Sequence, residues 1–213
     1  MNQKTGRGWL AMLAVLGMGQ VMAVEPMPVA QRLQSVMADP AAQATVVKAG
    51  KRAAFFCENC HGVDGNSTLE HVPNLAGQNA VYLLTQIDKF GDGRRKDEFM
   101  SGLVKVLKPE DRFNIAVFYA SQAVRPGKAP DARQAQAGRD HYQRACRGCH
   151  GVQGLGTEEV ARLAGQRRQY LVNALTGYRA GQGMRADHRM TGVAKKLDDA
   201  QISAIAAYLS SLK

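Results

Sequence analysis

Apolar residues recur along this chain at helical spacing, and nowhere do they alternate with polar ones over a useful strand length. The clearest stretch is 79–90 (NAVYLLTQIDKF), apolar at Val81, Leu84, Ile87 and Phe90 and stopped by Gly91. Asp39-Pro40 reads as an N-cap followed by a first-turn proline, opening a helix through Ala41, Val46, Val47 and Phe55 to Cys57. Lys108-Pro109-Glu110-Asp111 opens another, with Phe113, Val117 and Tyr119 among its apolar residues. Segments 131–146, 167–179 and 198–212 are helical in pattern too. Residues 24–38, with Pro26 and Pro28 and no clear period, fit an extended arm or a short helix. The pattern predicts an all-α fold.

Two segments stand apart from it. Residues 1–8 carry Lys4 and Arg7, residues 9–18 are apolar and uncharged, and Val21-Met22-Ala23 places small residues where a signal peptidase needs them. That is the anatomy of a secretory signal, too short for a comfortable membrane span, so cleavage after Ala23 is expected rather than retention as an anchor. Residues 123–131 (AVRPGKAPD) hold Pro126, Gly127 and Pro130 between helical stretches and read as a linker.

Beyond the linker the sequence repeats itself. Cys57 matches Cys146 at an offset of 89; Leu75-Ala76-Gly77-Gln78 matches Leu163-Ala164-Gly165-Gln166 at 88, as Tyr82-Leu83 does Tyr170-Leu171. Asp97 and Met100 match Asp187 and Met190 at 90, and Tyr119 pairs with Tyr208 at 89. The expected organisation is a signal (1–23), a first domain with its arm (24–122), the linker (123–131) and a second domain (132–213).

Each unit contains one hexapeptide, Cys57-Glu58-Asn59-Cys60-His61-Gly62 and Cys146-Arg147-Gly148-Cys149-His150-Gly151. Positions three apart on a helical turn share a face, so two thiols can reach the two vinyl groups of one porphyrin, and the adjacent histidine can supply an axial nitrogen. C-x-x-C-H is the attachment signal of c-type haem. The two copies use all four cysteines, Cys57, Cys60, Cys146 and Cys149. Disulfides, or a zinc site with another histidine spacing, fit the duplicated five-residue signature less well. Two covalent haem c groups are therefore expected, with His61 and His150 as iron ligands.

The sixth ligand follows from the repeat. Met100 and Met190 each stand seven residues before a leucine, Leu107 and Leu197, and three after an aspartate. They are the expected axial thioethers, in place of the gap-filling role a methionine usually has. Met184 has no counterpart in the first unit and is the runner-up for the second haem; His188 is a further competitor there, while His71 and His141 are weaker ones. Iron with histidine and methionine on both faces has no open position, so electron transfer rather than bond-breaking catalysis is expected.

On these residues the chain resembles the class I cytochromes c, and within them the dihaem cytochrome c4 family. The resemblance spans the chain from about Pro40 onward and rests on CENCHG and CRGCHG, on PNLAGQ followed by YLLTQIDKF, on RLAGQ followed by YLVNALTGYR, and on Met100 and Met190 with their downstream leucines. It implies two all-α domains facing one another with haem propionates near the interface. It also implies electron shuttling in the bacterial periplasm, often at the membrane surface, from a cytochrome bc complex toward a terminal oxidase. Two positions depart from the family pattern. Pro73 can offer its carbonyl to His61, but Ala161 stands at the matching place for His150; and Gly50 lies seven residues before Cys57 whereas Gly138 lies eight before Cys146, so the two amino-terminal helices are expected to present different faces.

Charge adds one constraint. The chain carries 28 basic and 18 acidic residues, a net +10. Arg94, Arg95, Lys96, Arg162, Arg167, Arg168, Arg179 and Arg185 fit a solvated surface, or a field that steers docking onto acidic redox partners or anionic lipid. Nucleic acid is not an expected partner of an exported haem protein. Competing with a free carrier are a cytochrome subunit of a periplasmic dehydrogenase, for example one oxidising sulfide or an alcohol, and a dihaem peroxidase, which would need a vacant sixth site.

Overall fold

The computed structural model describes residues 27–181, 185 and 187–213; the signal-like segment 1–23 and Met184 lie outside them. The described residues form helices and connecting loops, with one isolated antiparallel bridge, Arg95 to Arg185. The arm becomes α1 (Val29–Ala38), resolving the extended-or-helical choice in favour of a helix. Asp39 caps α2 (Pro40–Ala53) by accepting from the Ala41 amide, as its position before a proline suggests. α2 ends short of the expected Cys57; a turn over 54–57 leads into α3 (Glu58–His61).

α4 (Ala80–Gly91) and α6 (Pro109–Ala120) complete the first set, with α5 (Glu98–Lys105) between them. The second set runs α7 (Ala132–Ala145), α8 (Arg147–His150), α9 (Arg168–Ala180), α10 (His188–Ala194) and α11 (Asp199–Ser210). No helix among the described residues is long and apolar enough to cross a membrane.

Each set closes on its own core. Leu83, Leu84, Phe113, Val117, Phe118 and Tyr119 form one, and Tyr142, Leu171, Leu175, Ile202, Ile205 and Leu209 the other. In both, a glycine lets the first long helix lie directly on the last. A Cβ on Gly50 would sit 2.0 Å from the Asn114 carbonyl oxygen, and one on Gly138 would sit 2.2 Å from that of Ala204. The glycines thus hold equivalent crossings, and the expectation of different faces is overturned. The extra residue between Gly138 and Cys146 is absorbed because α7 stays helical to Ala145 whereas α2 breaks at Ala53.

The same contacts correct the repeat register. Gly50 meets Phe118 and Gly138 meets Tyr208; the Gly77 amide donates to the Tyr119 carbonyl and the Gly165 amide to that of Leu209. Tyr208 therefore corresponds to Phe118, and the offset stays at 90 through the last helix. The shared tyrosine identity was a coincidence of neighbouring positions.

Candidate functional site

The two hexapeptides place their histidines by the same device. α3 and α8 are single turns that follow directly on the first cysteine and bury the histidine at their end. His61 Nδ1 lies 2.9 Å from the Pro73 carbonyl and His150 Nδ1 lies 2.8 Å from that of Ala161, so each ring donates there and keeps Nε2 free. The alanine makes the bond as well as the proline. Burial, foremost, lowers both imidazole pKa values, and Arg95 and Arg189 respectively add to it against those carbonyl bonds. Both rings stay neutral, the form that ligates iron.

The thioethers arrive on α5 and α10. Asp97 accepts from the Met100 amide at 2.9 Å, and Asp187 accepts from the Arg189 and Met190 amides. Each aspartate is the N-cap of a short helix with methionine at its third position. The helical pattern read from the sequence missed both helices; the Asp-x-x-Met spacing was their one legible trace.

These residues meet in one cavity of about 490 Å³. Cys57, Cys60, His61 and Met100 line it, as do Cys146, Cys149, His150 and Met190, with walls that include Leu83, Ile87, Phe90, Leu171, Leu175 and Ile205. His188 is exposed and does not line it; His71 stands at its rim. The four thiols are unpaired, and burial pushes those of Cys57 and Cys146 up to about 11, so they are poor thiolates for disulfide exchange. Among the described residues no cluster of histidine, cysteine and carboxylate forms a metal site.

Between the two sets lies a cationic pair, Arg95 buried and Arg185 half-buried. Arg95 is 6% exposed, and its guanidinium donates to Gln86 Oε1 and to the Tyr170 hydroxyl; that of Arg185 donates to the hydroxyls of Tyr82 and Tyr170. Burial, joined by the Arg185 charge, pulls the Arg95 pKa down to about 10. Burial raises the Tyr170 hydroxyl, but the two guanidiniums outweigh it and hold the group below its ordinary value. Among the described residues, Arg95 Nε is buried without a partner. Two neighbouring cations with no carboxylate in their hydrogen-bond set are costly, and an anion in the cavity would relieve them. Neither arginine is the solvated surface residue expected from the sequence; their equal place in the repeat was the available signal.

Free thiols, neutral imidazoles, thioethers, an apolar cavity and an unbalanced cationic pair fit haem c with its propionates. When bound, that group supplies a one-electron iron couple. Two thiols hold its ring, the buried histidine and the methionine are the candidate axial donors, and the apolar walls exclude water.

Comparison with known proteins agrees. The family model described as cytochrome c matches residues 135–213. Cytochrome c4 of Pseudomonas aeruginosa is 36% identical over 176 residues, 77% of this chain and 87% of that protein. The crystal structure of reduced recombinant cytochrome c4 from Pseudomonas stutzeri superposes with a TM-score of 0.72 at 33% identity, over 78% of this chain and 98% of that one. A thiosulfate dehydrogenase electron acceptor of Stutzerimonas stutzeri is 28% identical over 75% of this chain and 80% of its own length. The architecture is that of two class I cytochrome c domains in tandem. The chain belongs to the cytochrome c4 family, haem c electron-transfer cytochromes.

Proposed function

We propose that the exported chain carries two covalent haem c groups and shuttles electrons through the periplasm, from a cytochrome bc complex or a dehydrogenase to a terminal oxidase. Cys57 and Cys60 hold the first haem, with His61 and Met100 as axial ligands; Cys146 and Cys149 hold the second, with His150 and Met190. The observation that carries the reading is the single cavity lined by both complete sets. Placing two redox centres on one unbroken cavity suits transfer between them, and filled axial positions suit a carrier better than an enzyme.

A covalent haem count on the natively exported protein tests the core of this reading: two per chain is expected, with the amino terminus beginning after Ala23. One haem, or none, would end it. Trp9 is the chain's one tryptophan, so the processed protein is expected to show no indole fluorescence.

A second reading has a specific observation behind it. Similarity to an electron acceptor of thiosulfate dehydrogenase supports service to a periplasmic dehydrogenase, as a partner or subunit. Purification under native conditions separates the two: a larger catalytic chain co-eluting in fixed ratio favours the subunit, and a free protein reduced by a bc complex favours the carrier. Carbon monoxide binding by the native reduced protein would favour a peroxidase over both.

A further inference from the structure

Two side-chain amides in exchanged positions grip across the interface. Gln166 Oε1 accepts from the Asn74 amide at 2.7 Å while its Nε2 donates to the Asn74 carbonyl at 3.0 Å. Gln78 Oε1 accepts from the Arg162 amide at 2.7 Å while its Nε2 donates to the Arg162 carbonyl at 3.0 Å. Both glutamines are buried, and both end the repeated Leu-Ala-Gly-Gln. Each also accepts from the amide that follows it, at Asn79 and Arg167, which ties the side chain to the start of its own long helix.

The residues they grip adjoin the histidine acceptors. Pro73, whose carbonyl accepts from His61 Nδ1, and Asn74, whose amide is held by Gln166, share one peptide plane. Ala161 and Arg162 do the same for His150 and Gln78. A conjugated peptide that donates at nitrogen becomes a better acceptor at oxygen, because hydrogen bonds in a chain polarise one another. A better acceptor at Nδ1 makes the other ring nitrogen more basic.

We propose that Gln166 and Gln78 are positioning residues acting across the interface, each setting the donor strength of the proximal histidine in the opposite domain: Gln166 for His61, Gln78 for His150. The inference rests on the two-haem reading above. A more electron-rich imidazole favours the oxidised iron. Each glutamine therefore holds down the reduction potential of the haem in the opposite domain, and loosening the interface raises both potentials together.

The bland alternative is that the glutamines merely glue the domains, and which haem responds distinguishes the two. The test is a redox titration of the Q166L and Q78L holoproteins, followed by NMR signals of the individual haems, with the proximal Nδ1 protons as a second readout. In Q166L the His61 haem is expected to favour reduction about two- to five-fold more than in wild type. That is roughly 20–40 mV upward, at 59 mV per tenfold for a one-electron couple. Its Nδ1 proton signal moves upfield as the bond weakens, and the His150 haem shifts by less than half as much. Q78L gives the mirror result. Q166N and Q78N, one methylene too short to reach but still polar, reproduce the crossed pattern if the leucine variants fold poorly. Equal shifts at both haems, a shift confined to the mutated domain, or no shift in a chain still carrying two haems overturns the relay and leaves the electron-carrier reading standing. A wild-type chain with fewer than two haems overturns both.

Discussion

At the scale of single residues, the site depends on pairs in which one side chain fixes another's backbone or ring. Met190→Ala is expected to drop the potential of one haem only and to turn that iron high-spin, seen in a visible-range redox titration; unchanged spectra would transfer the ligand role to Met184 or His188. Asp187 supports that methionine through its backbone, and Asp187→Ala is expected to cost about 1 kcal/mol of stability, in the range of a lost N-cap, with weaker Met190 ligation. Its carboxyl is held down at about 2, first by its bond to the Arg189 guanidinium, against an ordinary 3.8. A carboxyl depressed in the folded state stabilises above its ordinary value and loses that contribution as pH falls through the folded one. Methionine ligation at the second haem is thus expected to weaken between about pH 4 and pH 2, followed by acid titration of the spectrum, and to lose that pH dependence in Asp187→Ala.

At the scale of elements, the helix-on-helix crossing is the point of greatest sensitivity. Gly50→Ala and Gly138→Ala each force a methyl into backbone at the crossing. Each is expected to cost about 1–3 kcal/mol in denaturant unfolding, as overpacking does. What the sequence disclosed follows the same logic. α4 was legible because a buried face imposes a period over several turns, and α6, buried all round from Phe113 to Tyr119, because Pro109, Glu110 and Asp111 mark its start. α5 and α10 were not, because eight and seven residues are too few to carry a period and their purpose is to present one thioether. The covalent and axial candidates were legible because haem attachment demands fixed residue types at fixed spacing. The interface was not. Gln78, Gln166, Arg95 and Arg185 act on the other half of the molecule, and a local pattern cannot announce a partner some 75 to 103 residues away. Only the repeat hinted at them, by showing each residue twice.

At the scale of the whole molecule, the two halves share a fold but not a surface. Residues 24–122 carry 11 basic and 11 acidic side chains, whereas 132–213 carry 13 and 6. The contrast is sharpest around the cavity. Phe55, Phe56 and Phe99 are about two-thirds exposed on the first domain, at 66%, 68% and 69%. Arg144, Ala145 and Arg189 take their places on the second, all exposed, and Arg147 stands where the first has Glu58. A basic rim steers an acidic partner over a Debye length of about 8 Å at physiological salt, and an apolar rim does not. Electron exchange through the second domain is therefore expected to slow steeply with ionic strength, and exchange through the first to respond weakly. Stopped-flow kinetics with an acidic redox protein measures this. Arg144→Glu together with Arg147→Glu should slow association about tenfold or more at low salt and flatten the salt dependence, with both potentials nearly unmoved. A matching loss from Phe56→Glu with Phe99→Glu, at the same partner and salt, would mean that both domains meet that partner and that the charge asymmetry does not choose the docking face.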